Sequence, residues 1–297
     1  MKNLIKKIYL IFPFKKQIFL FIRYFWTPSE NIFKHLYFKG NFKVSINKYK
    51  SFKIRHYGYF IENEIFWTGL ANVWEKESLK IWMKLCETSD VIIDIGANTG
   101  VYSLIAKTIN NNSKVYAFEP VKRIFSKLQD NISLNKFDII SIEKAVSNSD
   151  GNAIIYDTNS EHIYSVTVNK NLSDTGIKVF ETKIETVTLN SFIKEYNLLK
   201  IDLIKIDVET HEAEVLEGFN EYISVFRPSI LIEILNDEVG QKVNNLVSNL
   251  DYLYFNVDEK KGVMQVDKIK KSDNYNYLLC EKRKAVELGL FIEEGEF

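Results

Sequence analysis

The sequence predicts an α/β fold built on a mostly parallel sheet, and three observations carry that expectation. From Val91 onward, short apolar runs alternate with segments of helical period, the pattern of successive βαβ units. Two of the runs, Leu203–Val208 and Ser229–Leu235, read as strands buried on both faces, as the inner strands of a parallel sheet are. Between the first run and the first helix lies Gly96-Ala97-Asn98-Thr99-Gly100, where glycines let backbone approach a ligand at the start of a helix.

The elements follow in order. Ahead of the main fold, alternating runs between Phe42 and Trp67, among them Lys53-Ile54-Arg55 and Tyr57-Gly58-Tyr59-Phe60, predict short antiparallel strands. Glu75 to Glu87 places Leu79, Trp82, Met83 and Cys86 on one helical stripe. Strand Val91–Ile95 leads through the glycine turn to a helix over Val101–Ile109, then to a strand Lys114–Phe118 and a helix marked by Val121, Ile124, Phe125 and Leu128. A third strand is expected over Ile139–Val146, followed by polar Ser147–Gly151 and irregular extended segments up to Leu189. Beyond the two buried strands and a helix starting at Ala213–Phe219, the tail offers strands near Tyr252–Val257 and Asn276–Glu281.

A chain of 297 residues, 46% hydrophobic, can bury one large core, and no Pro/Gly/Ser-rich stretch reads as a linker. We expect a basic aromatic arm with a small β extension over residues 1–72, a main domain over 73–285 and a tail over 286–297. Formal net charge is zero, yet of 39 basic and 39 acidic residues 13 and 1 fall within residues 1–55, leaving 26 and 38 for the body. An acidic body disfavours nucleic acid as a partner. The basic, aromatic arm over residues 1–30 suits peripheral contact with an anionic membrane, packing on the body, or a second copy of the chain. Lys15, Lys16 and Gln17 split its apolar runs and Pro13 interrupts helix continuity, so a membrane-spanning helix is not expected. No small-residue cleavage site follows the apolar run, and Cys86 and Cys280 show no disulfide or zinc pattern; a cytoplasmic protein, peripheral at the inner face of the membrane, is the expectation.

The chemistry lies around the glycine turn. Asp94 heads it, and such a carboxylate can hold a cationic amino group by charge-assisted hydrogen bonds. Glu119 ends the next strand, nineteen residues after Gly100, where a carboxylate can accept hydrogen bonds from both hydroxyls of a ribose. A dinucleotide fingerprint would need glycine at 98 and 101, where this chain has Asn98 and Val101, so a nicotinamide-dependent oxidoreductase loses ground.

VIIDIGANTGVYSLIA, VYAFEP, AVSNSDG, LIKIDVETHEAEVLEGF and ILIEI, in that order, resemble the successive blocks of the FkbM-type methyltransferase family, over about Trp74 to Arg283. The resemblance implies a class I methyltransferase fold, a Rossmann-like three-layer sandwich whose seven-stranded sheet has one antiparallel strand. It implies S-adenosyl-L-methionine as donor and O-methylation of a hydroxyl on a glycan or sugar-linked metabolite, as in polysaccharide biosynthesis. Carried over residue by residue, it implies that Asp94, Gly96, Ala97, Asn98 and Gly100 bind the methionine portion and Glu119 the ribose, that Ala145 lines the adenine slot, and that Asp207 lies beside the sulfonium. The family motif resembling D-V-E-G-x-E is matched at Asp207, Val208, Glu209 and Glu212 and departs at Thr210, where the family usually has glycine.

Methyl transfer requires alignment of a nucleophile and removal of its proton. His211 is the base by residue type, with a carboxylate such as Glu209 to orient it; Glu209 is the rival base, and Asp207 completes the catalytic set. Hard oxygen ligands at adjacent strand ends, Asp207, Glu209 and Glu233, would suit magnesium, but nothing in their spacing assigns an ion and no metal site is predicted. A second reading is a catalytically silent module of the same fold that docks on a membrane or a glycan-assembly complex.

Overall fold

Val91–Ile95 is buried along its whole length, which an isolated strand cannot be, so both faces of the sheet that holds it must be covered. In the computed structural model, which describes residues 12–158 and 179–291, the chain divides into two compact units, one up to Val73 and the other from Trp74. Residues 1–11 of the basic arm, 159–178 within the expected extended segments and 292–297 of the tail lie outside the described residues.

The first unit comprises helices α1 (Lys15–Phe25) and α2 (Glu30–Phe33), a hairpin of β1 (Gly40–Ser45) and β2 (Ser51–His56), and helix α3 (Phe60–Thr68). The hairpin alternates buried and exposed residues as its pattern predicts. The strand expectation fails after His56, where Phe60–Thr68 is helical. Two contacts made far along the chain explain the change: the Asn63 amide donates to the Phe33 carbonyl at 2.7 Å, and the Trp67 indole to the Leu36 carbonyl at 2.8 Å. A short aromatic run fits either period, and tertiary partners decide between them. Helix α1 buries Phe19 against Trp67, with ring centroids 5.4 Å apart, and exposes Phe21, Tyr24 and Phe25, with Trp26 exposed just after it.

In the second unit α4 (Lys76–Cys86) precedes β3 (Val91–Ile95), α5 (Val101–Ile109), β4 (Lys114–Phe118), α6 (Lys122–Asn135) and β5 (Ile140–Ile142). Short strands β6 (Ala145–Val146), β7 (Gly151–Thr158) and β8 (Val179–Val187) form a separate sheet in the order β6-β8-β7. Then come α7 (Leu189–Tyr196), β9 (Leu203–Ile206), α8 (Glu212–Glu217), α9 (Ile223–Phe226), β10 (Ser229–Glu233), α10 (Asp237–Val247), β11 (Tyr252–Asp258), β12 (Gly262–Val266), β13 (Asn276–Glu281) and α11 (Lys282–Glu287).

The main sheet runs β12-β11-β13-β10-β9-β3-β4-β5. Its inner strands are parallel and β13 is inserted antiparallel between β10 and β11, which is the seven-stranded arrangement of the class I methyltransferase fold. An eighth strand, β12, extends it by a hairpin on β11. The expected third strand over Ile139–Val146 is divided: β5 pairs with β4, whereas β6 turns away to pair with β8.

Register sorts the side chains by face, because residues two apart on a strand point the same way. Ile93, Ile95, Tyr116, Phe118, Ile204, Ile206, Ile230 and Ile232 point to one face and join Phe192, Leu216 and Val243 of α7, α8 and α10 in an apolar core. On the opposite face Ala117, Asp94, Lys205, Leu231 and Leu278 form one row across five strands, and Glu233 and Asn276 pair in the next row. Polar groups therefore collect on one face, at the carboxyl ends of the parallel strands, where open α/β sheets bind ligands.

Candidate functional site

The glycine turn is a consequence of close packing between β3 and β9. A Cβ added to Gly96, at φ +80°, would stand 1.8 Å from the Asp207 carbonyl oxygen, so no other residue fits there. Gly96 and Ala97 both donate to the Phe118 carbonyl, at 3.0 and 2.9 Å, which ties the turn to the end of β4. Asn98 stands at φ 52°, a conformation asparagine tolerates, and Gly100 at φ 94° starts α5. From α6, the buried Asn131 amide reaches the Thr99 carbonyl at 2.8 Å.

Two carboxylates flank this turn. Asp94 is buried and accepts the Ser103 hydroxyl at 2.5 Å; burial pushes its carboxyl up to about 6, against the pull of Ser103 and Lys205. Glu119 accepts the backbone N–H of Asn98 at 3.1 Å with one oxygen and that of Val121 at 2.9 Å with the other. Burial pushes it up to about 7 despite those donors. Each carboxylate oxygen has a further lone pair, so Glu119 is held by backbone and can still accept from a ligand. Ala145 lies on β6 rather than on the main sheet, packed with Val121, Ile124, Ile155 and Ile184.

At the end of β9, Asp207 meets groups that sequence reasoning passed over. Buried Lys205 extends its ammonium to Asp207 at 3.0 Å and over the Tyr102 ring at 4.9 Å from the centroid. Burial alone would pull that ammonium down, but Asp207, Glu75 and Glu233 outweigh it and hold it above the ordinary lysine value. Glu75, at the start of α4, accepts the Tyr102 hydroxyl at 2.9 Å and the Asn276 amide at 2.7 Å. Glu75, Asp207 and Glu233 bring carboxylate oxygens within 4.8 Å of one another. The acids gathered at the strand ends thus include Glu75, and the cation set beside them is a lysine. A charged residue inside an otherwise apolar strand was the available signal for Lys205; nothing local marked Glu75, which arrives from a different helix.

The turn after β9 is strained. Glu209 and Thr210 both have positive φ, 53° and 80°, and Thr210 is β-branched, for which this region is costly. Glu212 supports the turn by accepting the N–H groups of Val208 and Thr210 at 3.3 and 3.2 Å, and burial pushes its carboxyl up to about 7. His211 stands at the start of α8, with Nε2 2.9 Å from the Ser147 hydroxyl and Nδ1 3.6 Å from Glu214. Glu214, a turn further along the helix, is thus the carboxylate beside Nδ1, where the sequence suggested Glu209. Burial draws the imidazole below its ordinary value, against Glu214 and Glu217, which keeps it neutral at pH 7.

Residues 94–257 match the family described as Methyltransferase FkbM domain. The chain belongs to the FkbM methyltransferase family. Methyltransferase sdnD of Sordaria araneosa is 30% identical over 158 residues, 44% of this chain and 60% of that protein. Hexuronic acid methyltransferase AglP of Haloferax volcanii is 27% identical over 178 residues, 59% of this chain and 68% of that protein. A crystal structure of Methyltransferase FkbM from Methylobacillus flagellatus is similar at 15% identity and a TM-score of 0.40, over 64% of this chain and 43% of that one. The chain therefore spans less than two thirds of the fungal relative and less than half of the bacterial one.

Two expectations follow for this family member. Replacing Thr210 by glycine removes a positive-φ penalty of order 1–3 kcal/mol at an entropic cost of about 0.5–1 kcal/mol. Thr210→Gly should therefore gain about 1 kcal/mol in urea unfolding; a loss would show that the turn is not strained. Glu119, Glu212 and Glu233, the last pushed up to about 9 chiefly by burial, hold protons in the fold that the unfolded chain has already released. Stability should thus fall as pH rises through their raised values. Buried His56, drawn down to about 4, acts in the opposite sense below its ordinary value near 6.5. The expected result is declining stability between about pH 6.5 and 9, followed by chemical unfolding; a flat or rising profile would contradict the buried acids.

Proposed function

We propose that this chain is an S-adenosyl-L-methionine-dependent methyltransferase that methylates a hydroxyl on a glycan or sugar-linked metabolite. The observation that carries the reading is the pair of buried carboxylates, Asp94 and Glu119, set on either side of a glycine turn whose Gly96 has no room for a side chain. These residues fit the donor's chemistry: Asp94 suits the end that bears an ammonium, and Glu119 the ribose diol. Gly96, Ala97, Asn98 and Gly100 supply backbone for the methionine portion, and Ala145 an apolar contact for the adenine. When bound, the donor supplies an electrophilic methyl on a sulfonium. The chain's own task is to hold the acceptor in line and take its proton, which the turn after β9 is equipped to do. His211 is the neutral imidazole there, while Asp207 and Glu209 are carboxylates of the same turn. The sugar acceptor is supported by family membership and by similarity to a hexuronic acid methyltransferase.

Calorimetry should detect binding of S-adenosyl-L-methionine by the wild type. Asp94→Ala and Glu119→Ala should each weaken it by about tenfold or more, the scale of one lost charge-assisted bond. Incubation with labelled donor and fractionated saccharides should transfer label to a carbohydrate hydroxyl; donor binding without transfer to any fraction would favour the silent module.

We further infer that α1 rests on an anionic membrane surface. Exposed Phe21, Tyr24 and Phe25 lie on a helix that begins Lys15-Lys16, exposed Trp26 follows it directly, and no helix among the described residues is long and apolar enough to cross a membrane. The full chain should sediment with phosphatidylserine vesicles and lose that binding in Phe21→Asp/Phe25→Asp. A chain that stays in solution, or whose double variant only changes a dimer to a monomer, would assign the helix to self-association.

A further inference from the structure

Among the described residues, the acidic cluster around Lys205 includes two carboxylates, Glu75 and Glu233, to which the proposed reaction gives no task. Three elements deliver its carboxylates: Glu75 from the start of α4, Asp207 from the end of β9 and Glu233 from the end of β10. Asp94 on β3 is the register neighbour of Lys205 and joins them from the glycine-turn side. The other groups facing the cluster are the Tyr102 hydroxyl on α5, Glu209 on the turn after β9, and Asn276 on β13; Glu259, which accepts the Glu77 and Ser78 backbone N–H groups at the start of α4, lies close enough to act on Tyr102. Four acids thus surround one ammonium in a region where Asp94 and Lys205 are each 1% exposed.

Such a cluster is short of positive charge, and a second observation points the same way. Asn276 is 95% buried and donates its amide to Glu75, yet its Oδ1 has no partner. A buried acceptor and an excess of carboxylates both favour the arrival of a cation. The cluster abuts the glycine turn through Gly96 and Asp207, where the methyl donor would bring one. The donor carries a sulfonium, whereas the demethylated product has a neutral thioether at the same atom.

We propose that the Glu75–Asp207–Glu233 cluster discriminates the charged donor from the spent product, with Glu233 as the specificity-determining residue that releases its proton to solvent when the sulfonium arrives. The balance is simple: protonated Glu233 and a cationic donor become a carboxylate facing a sulfonium, and one proton leaves. After transfer, the thioether no longer offsets the carboxylate, Glu233 takes its proton back, and product is favoured to leave. Burial first, then Asp207, Glu209 and Glu75, keep Glu233 protonated well above neutral pH in the donor-free protein, with Lys205 pulling the other way. Asp207 is the direct ion-pair partner of Lys205, at 3.0 Å.

The inference rests on the methyltransferase reading, and calorimetry separates the two. Donor and product are titrated into the full chain and into Glu233→Gln at pH 7.5, each in phosphate and in Tris, buffers of different ionisation enthalpy. The dependence of heat on buffer counts the protons released. The donor's own amino group contributes equally to both proteins and cancels in their difference. The wild type should release about one proton more than Glu233→Gln on binding the donor and no more on binding the product, and its preference for donor over product should exceed that of the variant by about tenfold. Equal proton counts, or an unchanged preference in Glu233→Gln, would overturn the selector while leaving methyl transfer intact. Titration of the donor-free wild type with magnesium chloride alone, if it released the same proton, would also overturn it, because the cluster would then be a divalent-cation site. Failure of the wild type to bind the donor at all would remove the methyltransferase reading and the selector together.

Discussion

The polar end of the sheet depends on one buried ammonium. Lys205 is set in a strand whose other residues, Leu203, Ile204 and Ile206, are fully buried and apolar, and a lysine in that position is tolerated because its partners are charged. Asp207 bonds it directly, Tyr102 offers its ring face, and Glu75 and Asp94 lie close by. Remove the ammonium and the buried Glu75 and Asp94 and the half-buried Asp207 and Glu233 would face one another without a counter-charge, which protonation alone could relieve. Through Lys205, the starts of α4 and α5, the ends of β3, β9 and β10 and the start of β13 are joined in one polar network.

Around that network the backbone is held tightly on both sides. The Asp207 carbonyl fills the space where a side chain on residue 96 would go, so the glycine turn and the end of β9 have a single mutual position. Strain on the other side, at Glu209 and Thr210, is sustained by Glu212, whose carboxylate accepts two backbone N–H groups of the same turn. Cramped glycine and strained turn meet where the acids converge, the kind of place in which folds store strain for function. Glu119 belongs to the same economy of backbone donors: it secures the glycine turn through Asn98 and the start of α6 through Val121 while presenting a carboxylate.

Much of this was legible in the sequence. The strand ends at Ile95 and Phe118, the glycine turn and both flanking carboxylates followed from apolar runs broken by glycine and acid, because period and turn chemistry are local properties, whereas the strand expected over Leu203–Val208 stops at Ile206. Ala145 was misplaced on the main sheet because an apolar run does not reveal that its second half will pair with β8, which is about forty residues further along the chain. The stretch up to Trp67 predicts strand because its aromatic run, Tyr57 to Phe60, is short, whereas the partners that make Phe60–Thr68 a helix, Phe33 and Leu36, are remote in sequence.

By itself, then, the sequence determined the α/β order, the family, and the two acids beside the glycine turn, all of which are written in short-range patterns. Tertiary structure alone decided that Glu75, from a helix before the first strand of the sheet, joins Asp207 and Glu233 around Lys205, and that Asn276 is left with an unpaired oxygen beside them. The reason is topological. Parallel strands far apart in the chain end at one edge of the sheet, and which charges meet there depends on strand order and register rather than on any spacing along the sequence.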